Sequence, residues 1–241
     1  MDGVWIALGC FILLGFTLEA ITGFGGTVIA LALGALLLPI PVLLPILVPL
    51  SLAMGVVLVW RHHGHVDHQL LLRLVLPAML VGMALGYAAR TWLDAARMRQ
   101  VFGILVIWCA AQSLWQPGAV AGRRPRWLVT GLTCLAGVTH GLFASGGPLL
   151  VYALSGVALD KARFRMTLIT VWLVLDAALT VAFVLDGQMA GTALPVAAYL
   201  PVVAASMWLG ERLHRRVSEQ RFQRLTATLL LVTGGLLAWP R

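Results

Sequence analysis

Charge is scarce in this sequence. Of its 241 residues only 11% are Asp, Glu, Lys or Arg, and the acidic ones number 9, against about 25% charged residues in an ordinary soluble domain. A shortage of that size excludes a soluble globular fold. Cysteine is scarce too: Cys10, Cys109 and Cys134 all fall in apolar stretches, where a thiol behaves as a small buried hydrophobe, so no disulfide framework is expected. No GxxxxGK[ST] motif occurs, which removes transport driven by the chain's own ATP hydrolysis, and no cofactor is expected. The first apolar run, Val4 to Leu18, lacks a basic leader and a small-x-small cleavage site, so it reads as a retained segment with the mature chain starting near Met1.

What is abundant is apolar surface. Hydrophobic residues make up 61% of the chain and mean hydropathy is +0.95, so several runs can cross a hydrocarbon core of about 30 Å. Apolar runs bounded by breakers fall near 4–22, 27–38, 42–60, 70–88, 101–116, 127–143, 149–157, 166–185, 189–209 and 225–239. Two of these, 27–38 and 149–157, are too short to span alone, and each follows a glycine-rich break. The net charge of +8 would suggest nucleic acid in a soluble protein. In a membrane chain its distribution over loops matters more, and no nucleic-acid partner is expected. If 127–157 enters and leaves by one face, all Lys and Arg except Arg90, Arg97, Arg99 and Arg241 share one side. The positive-inside bias then predicts a multi-pass inner-membrane protein with both termini outside.

An internal repeat points the same way. "LPAMLVGMALGYAART" from Leu76 matches "LPVVAASMWLGERLHR" from Leu200 at an offset of 124, pairing Gly82 with Ser206 and Gly86 with Gly210. "EAITGFGG" from Glu19 aligns with "HGLFASGG" from His140 at an offset of 121. The predicted organisation is a first membrane repeat over 1–115, a basic inter-repeat loop at 116–126 and a second repeat over 127–241. With an odd number of crossings per repeat the two face opposite ways. The fold class is thus an all-α polytopic membrane protein of two inverted repeats with glycine-rich broken or re-entrant helices. The small residues Gly82, Gly86, Ser206 and Gly210 suit close helix packing.

Backbone at membrane depth cannot lie irregular against lipid, because each unsatisfied amide or carbonyl costs several kcal/mol. "TGFGGT" (Thr22 to Thr27) and "FASGGP" (Phe143 to Pro148) must therefore face protein or a water-filled cavity. A helix that starts after such a break aims free N–H groups and its positive dipole end at the gap, a geometry that favours an anion. The predicted substrate contacts are Thr22, Gly23, Gly25, Gly26 and Thr27 in the first break and Gly141, Ser145, Gly146, Gly147 and Pro148 in the second. Glycine admits close approach, the hydroxyls donate, and Pro148 suits the first turn of a helix. The bland alternative is that the glycines serve tight turns and close helix contacts alone.

Glu19, His140 and Asp176 are the clear ionisable residues inside apolar stretches, and such residues mark functional sites by default. Glu19 and His140 share one position in the repeat, so they are proton-coupling candidates, with Asp176 a partner to a cation or proton site. Structural hydrogen bonding is the competing role for each. "RHHGHVDHQ" (Arg61 to Gln69) matches no common zinc spacing and reads as a solvated loop, so no metal is assigned. Trp5, Trp60, Trp92, Trp115, Trp127 and Trp239 lie near segment ends, as interfacial anchors do.

Three functions compete. A secondary transporter of a small anion uses the paired breaks directly. An intramembrane serine hydrolase, with Ser145 as nucleophile and His140 as base, is disfavoured because the two lie five residues apart on one segment and the repeat mate of Ser145 is Phe24. A non-catalytic membrane subunit predicts no paired polar breaks.

With its two repeats of about four helices, each opening on a break such as "GFGG" or "ASGGP", the chain resembles the sulfite exporter TauE/SafE family of membrane transporters. The resemblance covers nearly the whole length. It implies passage of sulfite, sulfonates or related small anions across the cytoplasmic membrane. It also carries the glycine pattern onto Gly23, Gly25, Gly26, Gly141, Gly146, Gly147 and Pro148. The small hydroxylated steps in "PLSLA" and "RMTLI" look like family counterparts, which adds Ser51 and Thr167 as site candidates. The expected partners are the anion, the lipid bilayer and protons, and homo-oligomerisation is left open.

Overall fold

A computed structural model describes residues 3–115, 125–155, 160–213 and 219–239. Among them every regular element is helical: α1 (Gly3–Thr22), α2 (Gly26–Gly34), α3 (Ile40–His62), α4 (His68–Leu70), α5 (Leu76–Ala89), α6 (Ala95–Trp115), α7 (Arg126–Phe143), α8 (Gly147–Leu154), α9 (Lys161–Leu185), α10 (Ala193–Leu213) and α11 (Glu219–Ala238). Five stretches, Gly3–Thr22, Ile40–His62, His68–Trp92, Ala162–Leu185 and Ala193–Leu213, are long and apolar enough to cross a membrane. The protein is an all-α polytopic membrane protein. The loop expected at 116–126 lies outside the described residues except for Pro125 and Arg126, as does the end of the segment expected at 149–157.

Helix starts differ from the apolar runs where a cap decides them. α6 begins at Ala95 rather than near 101 because Asp94 Oδ1 accepts the Arg97 N–H at 2.7 Å. α9 begins at Lys161 rather than 166 because Asp160 Oδ1 accepts from Arg163 N–H at 2.9 Å. A side-chain acceptor satisfies an otherwise free first-turn N–H, so a short polar prefix joins each apolar helix. Between α4 and α5 the backbone widens into a π-helical turn, Leu71–Val75, just before Pro77. Proline has no N–H to continue the ladder, and the wider turn accommodates that loss.

The helices pack in pairs. α5 lies along α7 in the same direction, with Gly82 against Cys134 and Gly86 against Val138, where a Cβ on either glycine would run into a backbone carbonyl oxygen. α1 lies along α10 in the same way. There Ser206 Oγ is 3.4 Å from Leu13 O, and a Cβ at Gly210 would sit 3.1 Å from Thr17 O. Small residues let backbones approach to van der Waals contact, the main source of helix association where lipid is as apolar as the side chains. α6 and α11 run antiparallel, since Gly103 meets Ala238 and Gly234 while Gly234 meets Ile107. α3 packs on α9.

All nine residues of α2 are buried. This short helix therefore never faces lipid, as irregular flanking backbone at this depth demands. The outward surface is apolar, with Ile6, Leu14, Val56, Leu85, Val181 and Val232 among the exposed side chains. Trp60, Trp92, Trp127 and Trp239 stand exposed near helix ends. Cys10 departs from the expectation of burial: it is exposed on the outer side of α1, whereas Cys109 is buried.

Candidate functional site

The first break is a tight reversal between α1 and α2. Gly23 and Gly25 take φ of 88° and 91°, a left-handed conformation that L side chains resist. The Gly23 N–H donates to Glu19 O at 2.7 Å, and Thr22 Oγ1 lies 2.9 Å from Leu18 O and 2.8 Å from Phe24 O. In the second break Ala144 takes the left-handed turn, at φ 51°, and its N–H donates to His140 O at 2.7 Å. Ser145 Oγ donates to Phe143 O at 2.9 Å. Pro148 occupies the first turn of α8.

These two breaks touch. Thr27 Oγ1, in the first turn of α2, donates to Ala144 O at 2.9 Å. Trp172 of α9 fixes the other side, its Nε1 donating to Gly23 O at 2.9 Å while its ring stacks on His140 with centroids 5.6 Å apart. Around this junction lies a cavity of ≈ 10 Å³, room for a single water.

Of the residues singled out in the sequence, Glu19, Gly25, Thr27, Ser51, His140, Gly147 and Asp176 line the cavity, joined by Val28, Ala144 and Trp172. The starts of α2 and α8 thus face one space. The other candidates are not among its lining residues. The Thr22 and Ser145 hydroxyls are engaged by carbonyls of their own turns. Gly23 rests against Arg165, and Gly141 abuts Met83 and Tyr87 of α5. Gly146 caps α8 against Ala136 and His140, and Gly26 gives room to the Glu19 side chain. Thr167 accepts the Asp67 N–H at 3.0 Å near the start of α4, away from the cavity wall. It sits on the turn of α9 that meets the α3–α4 connection, five residues before Trp172.

Three ionisable side chains converge here. His140 Nε2 is 3.2 Å from Asp176 Oδ1, with both side chains at most 2% exposed, in ion-pair range but off the line of a hydrogen bond. Glu19 is 5% exposed. Its carboxylate lies against Gly26 at the start of α2, and it shares the cavity wall with Asp176. Glu19 Oε2, both His140 ring nitrogens and Asp176 Oδ1 have no hydrogen-bond partner. Orphaned buried polar atoms cost about 1–3 kcal/mol each and call for a functional explanation.

Trp172 is a cavity residue with a hydrogen-bonding side chain that the sequence reading missed. Its signal is position: a tryptophan at the middle of a span, four residues before Asp176, shares a helix face with it and cannot be an interfacial anchor. Ser145 Oγ engages Phe143 O rather than His140, so no nucleophile–base pair is formed. Among the described residues no group of three or more His, Cys, Asp or Glu side chains is placed to hold a metal ion.

Similarity to known proteins agrees with a membrane carrier. The family model for "Sulfite exporter TauE/SafE" matches residues 7–237. The "Probable inner membrane transporter protein TsaS" of Comamonas testosteroni is 28% identical over 163 residues, which cover 66% of this chain and 68% of that protein. No solved structure matches the chain. A family match running from the second turn of α1 to the end of α11 leaves one assignment: the chain belongs to the sulfite exporter TauE/SafE family, whose members are membrane transporters and not enzymes.

Proposed function

We propose that this transporter carries small anions, sulfite or organosulfonates among them, across the inner membrane by alternating access with proton coupling. The observation that supports it most is the Thr27 to Ala144 hydrogen bond, which joins the two breaks at one cavity edged by two helix N-termini. N–H groups at such termini favour an anion without any buried cation. The 28% identical relative is named as an inner membrane transporter, which supports the location.

The division into repeats over 1–115 and 127–241 is supported by the way the helix pairs exchange. Gly82 meets Cys134 as its mate Ser206 meets Leu13, and Gly86 meets Val138 as Gly210 meets Thr17. The antiparallel run of α6 and α11 fits opposed orientation of the two repeats, and with it both termini on one side of the membrane, the outside by loop charge. A cavity that holds one water must widen to take a sulfonate. Substrate entry therefore needs the α1–α2 and α7–α8 hairpins to separate, which is the motion alternating access requires.

The test is a thermal-shift panel on the purified protein with sulfite, sulfate, thiosulfate, methanesulfonate, taurine, acetate and chloride. A ligand that binds the native state alone raises the melting temperature with concentration. Selective stabilisation by a sulfur anion, reduced in Ser51→Ala, supports the site and its substrate class. Stabilisation by none of the seven removes the anion reading.

A further inference from the structure

We infer that Glu19 is a built-in stand-in for the transported anion: its carboxylate holds the N–H groups that open α2 in the empty site, and a substrate anion takes that place only when Glu19 carries a proton. This deepens the anion-transport reading above and rests on it.

The geometry assigns the role to Glu19 alone. Position 26 must be glycine because the Glu19 carboxylate and Cβ fill the space that a side chain there would need. That carboxylate lies against Gly26, the first residue of α2, and its Oε2 is buried with no partner. The start of α2 is therefore occupied by an anion that belongs to the chain. The start of α8 has no such occupant, since its equivalent position carries His140.

The charges around Glu19 come from few directions. α9 brings Asp176, whose Oδ1 lies 3.2 Å from His140 Nε2 of α7, and His140 and Asp176 line the same cavity as Glu19. α2 contributes the uncharged Thr27, and α3 contributes Ser51. α10 turns Ser206 and Gly210 toward α1, while Glu211 lies 3.6 Å from Arg61 on an exposed face. Arg165 of α9 rests against Gly23.

Two anions cannot share this place. The cavity of ≈ 10 Å³ holds no substrate beside the carboxylate, and a second negative charge near Asp176 at low dielectric is strongly opposed. When Glu19 takes one proton from water it becomes a neutral carboxylic acid, its hold on the N–H groups weakens, and a monovalent anion restores the lost charge. The site then carries equal charge when loaded and when empty. One proton and one anion cross together, electroneutrally.

The experiment compares full-length wild type with Glu19→Gln, using methanesulfonate as probe because it stays ionised from acidic to neutral pH. Wild-type affinity should rise on acidification by up to about tenfold per pH unit. Glu19→Gln, neutral and of the same shape, should bind at neutral pH as tightly as the wild type does in acid, without pH dependence. A wild-type slope retained in Glu19→Gln overturns the inference and moves the proton to His140 and Asp176. So does loss of binding at an unchanged melting temperature, because Glu19 would then support the anion rather than compete with it. If Glu19→Gln does not fold, Glu19→Asp withdraws the carboxylate by one methylene and should bind more tightly at neutral pH with a shallower slope; an unchanged slope overturns the inference. If methanesulfonate, sulfite and thiosulfate bind neither protein at any pH, the anion reading falls and this inference with it.

Discussion

Thr27 and Ala144 stand 117 positions apart in the chain, yet the threonine hydroxyl donates to the alanine carbonyl at 2.9 Å within the buried core. That bond ties one glycine-rich reversal to the other across the cavity. Thr27→Val keeps the shape, removes the donor and leaves the Ala144 carbonyl unpaired, which should cost about 1–3 kcal/mol. Thr27→Ser should restore most of it. Thermal unfolding of the three proteins in detergent decides the point, and anion uptake into liposomes should fall with Val and return with Ser.

Trp172 has two separable duties. Trp172→Phe keeps a ring to stack on His140 but loses the Nε1 bond to Gly23 O. A loss of about 1 kcal/mol is expected from the bond, while Trp172→Ala, which also opens a cavity in the core, should lose about 3–5 kcal/mol. Equal losses in the two variants, measured by denaturant unfolding, would show that the bond alone matters.

Gly82 permits the close approach of α5 and α7. Even a methyl group there runs into the Cys134 carbonyl, so Gly82→Ala should destabilise the protein by about 1–3 kcal/mol through forced separation of the helices. Gly131, on the same α7, has open space around its Cα, and Gly131→Ala should stay within about 0.5 kcal/mol of wild type. Side-by-side melting curves test the contrast.

Gly25 and Gly23 differ in kind. Both need positive φ, but Gly25 has open space where a side chain would project, whereas Gly23 is closed off by Arg165. Gly25→Asn should therefore be tolerated, since asparagine enters the left-handed region at modest cost, while Gly25→Val should not. At position 23 both substitutions should fail. Expression level and monodispersity of the four variants give the readout.

Ser145→Ala should leave anion transport intact. Its hydroxyl serves the Phe143 carbonyl of its own turn, and the loss is limited to about 1 kcal/mol of stability. A complete loss of uptake with normal folding would give Ser145 a direct part in substrate binding.

Composition and hydropathy by themselves determined that this is a helical membrane protein, because burying a backbone in hydrocarbon leaves helices as the structure for apolar runs of this length. The paired glycine-rich stretches and the rarity of charge also singled out both breaks and the ionisable trio Glu19, His140 and Asp176. Tertiary structure alone decided which of these residues meet. Asp176 shows no repeat mate in sequence, and only the fold, which brings the end of α7 to the middle of α9, sets its Oδ1 3.2 Å from His140 Nε2. Thr22 and Ser145 have the chemistry of anion donors, but local turn geometry turns both hydroxyls onto nearby carbonyls. Thr167 and Ser51 look alike in sequence, yet the register of α9 sends one to the Asp67 backbone and the fold sets the other at the cavity. Side-chain type is a property of the chain, whereas the direction in which a side chain points depends on the helix phase and neighbours that exist only once the bundle has formed.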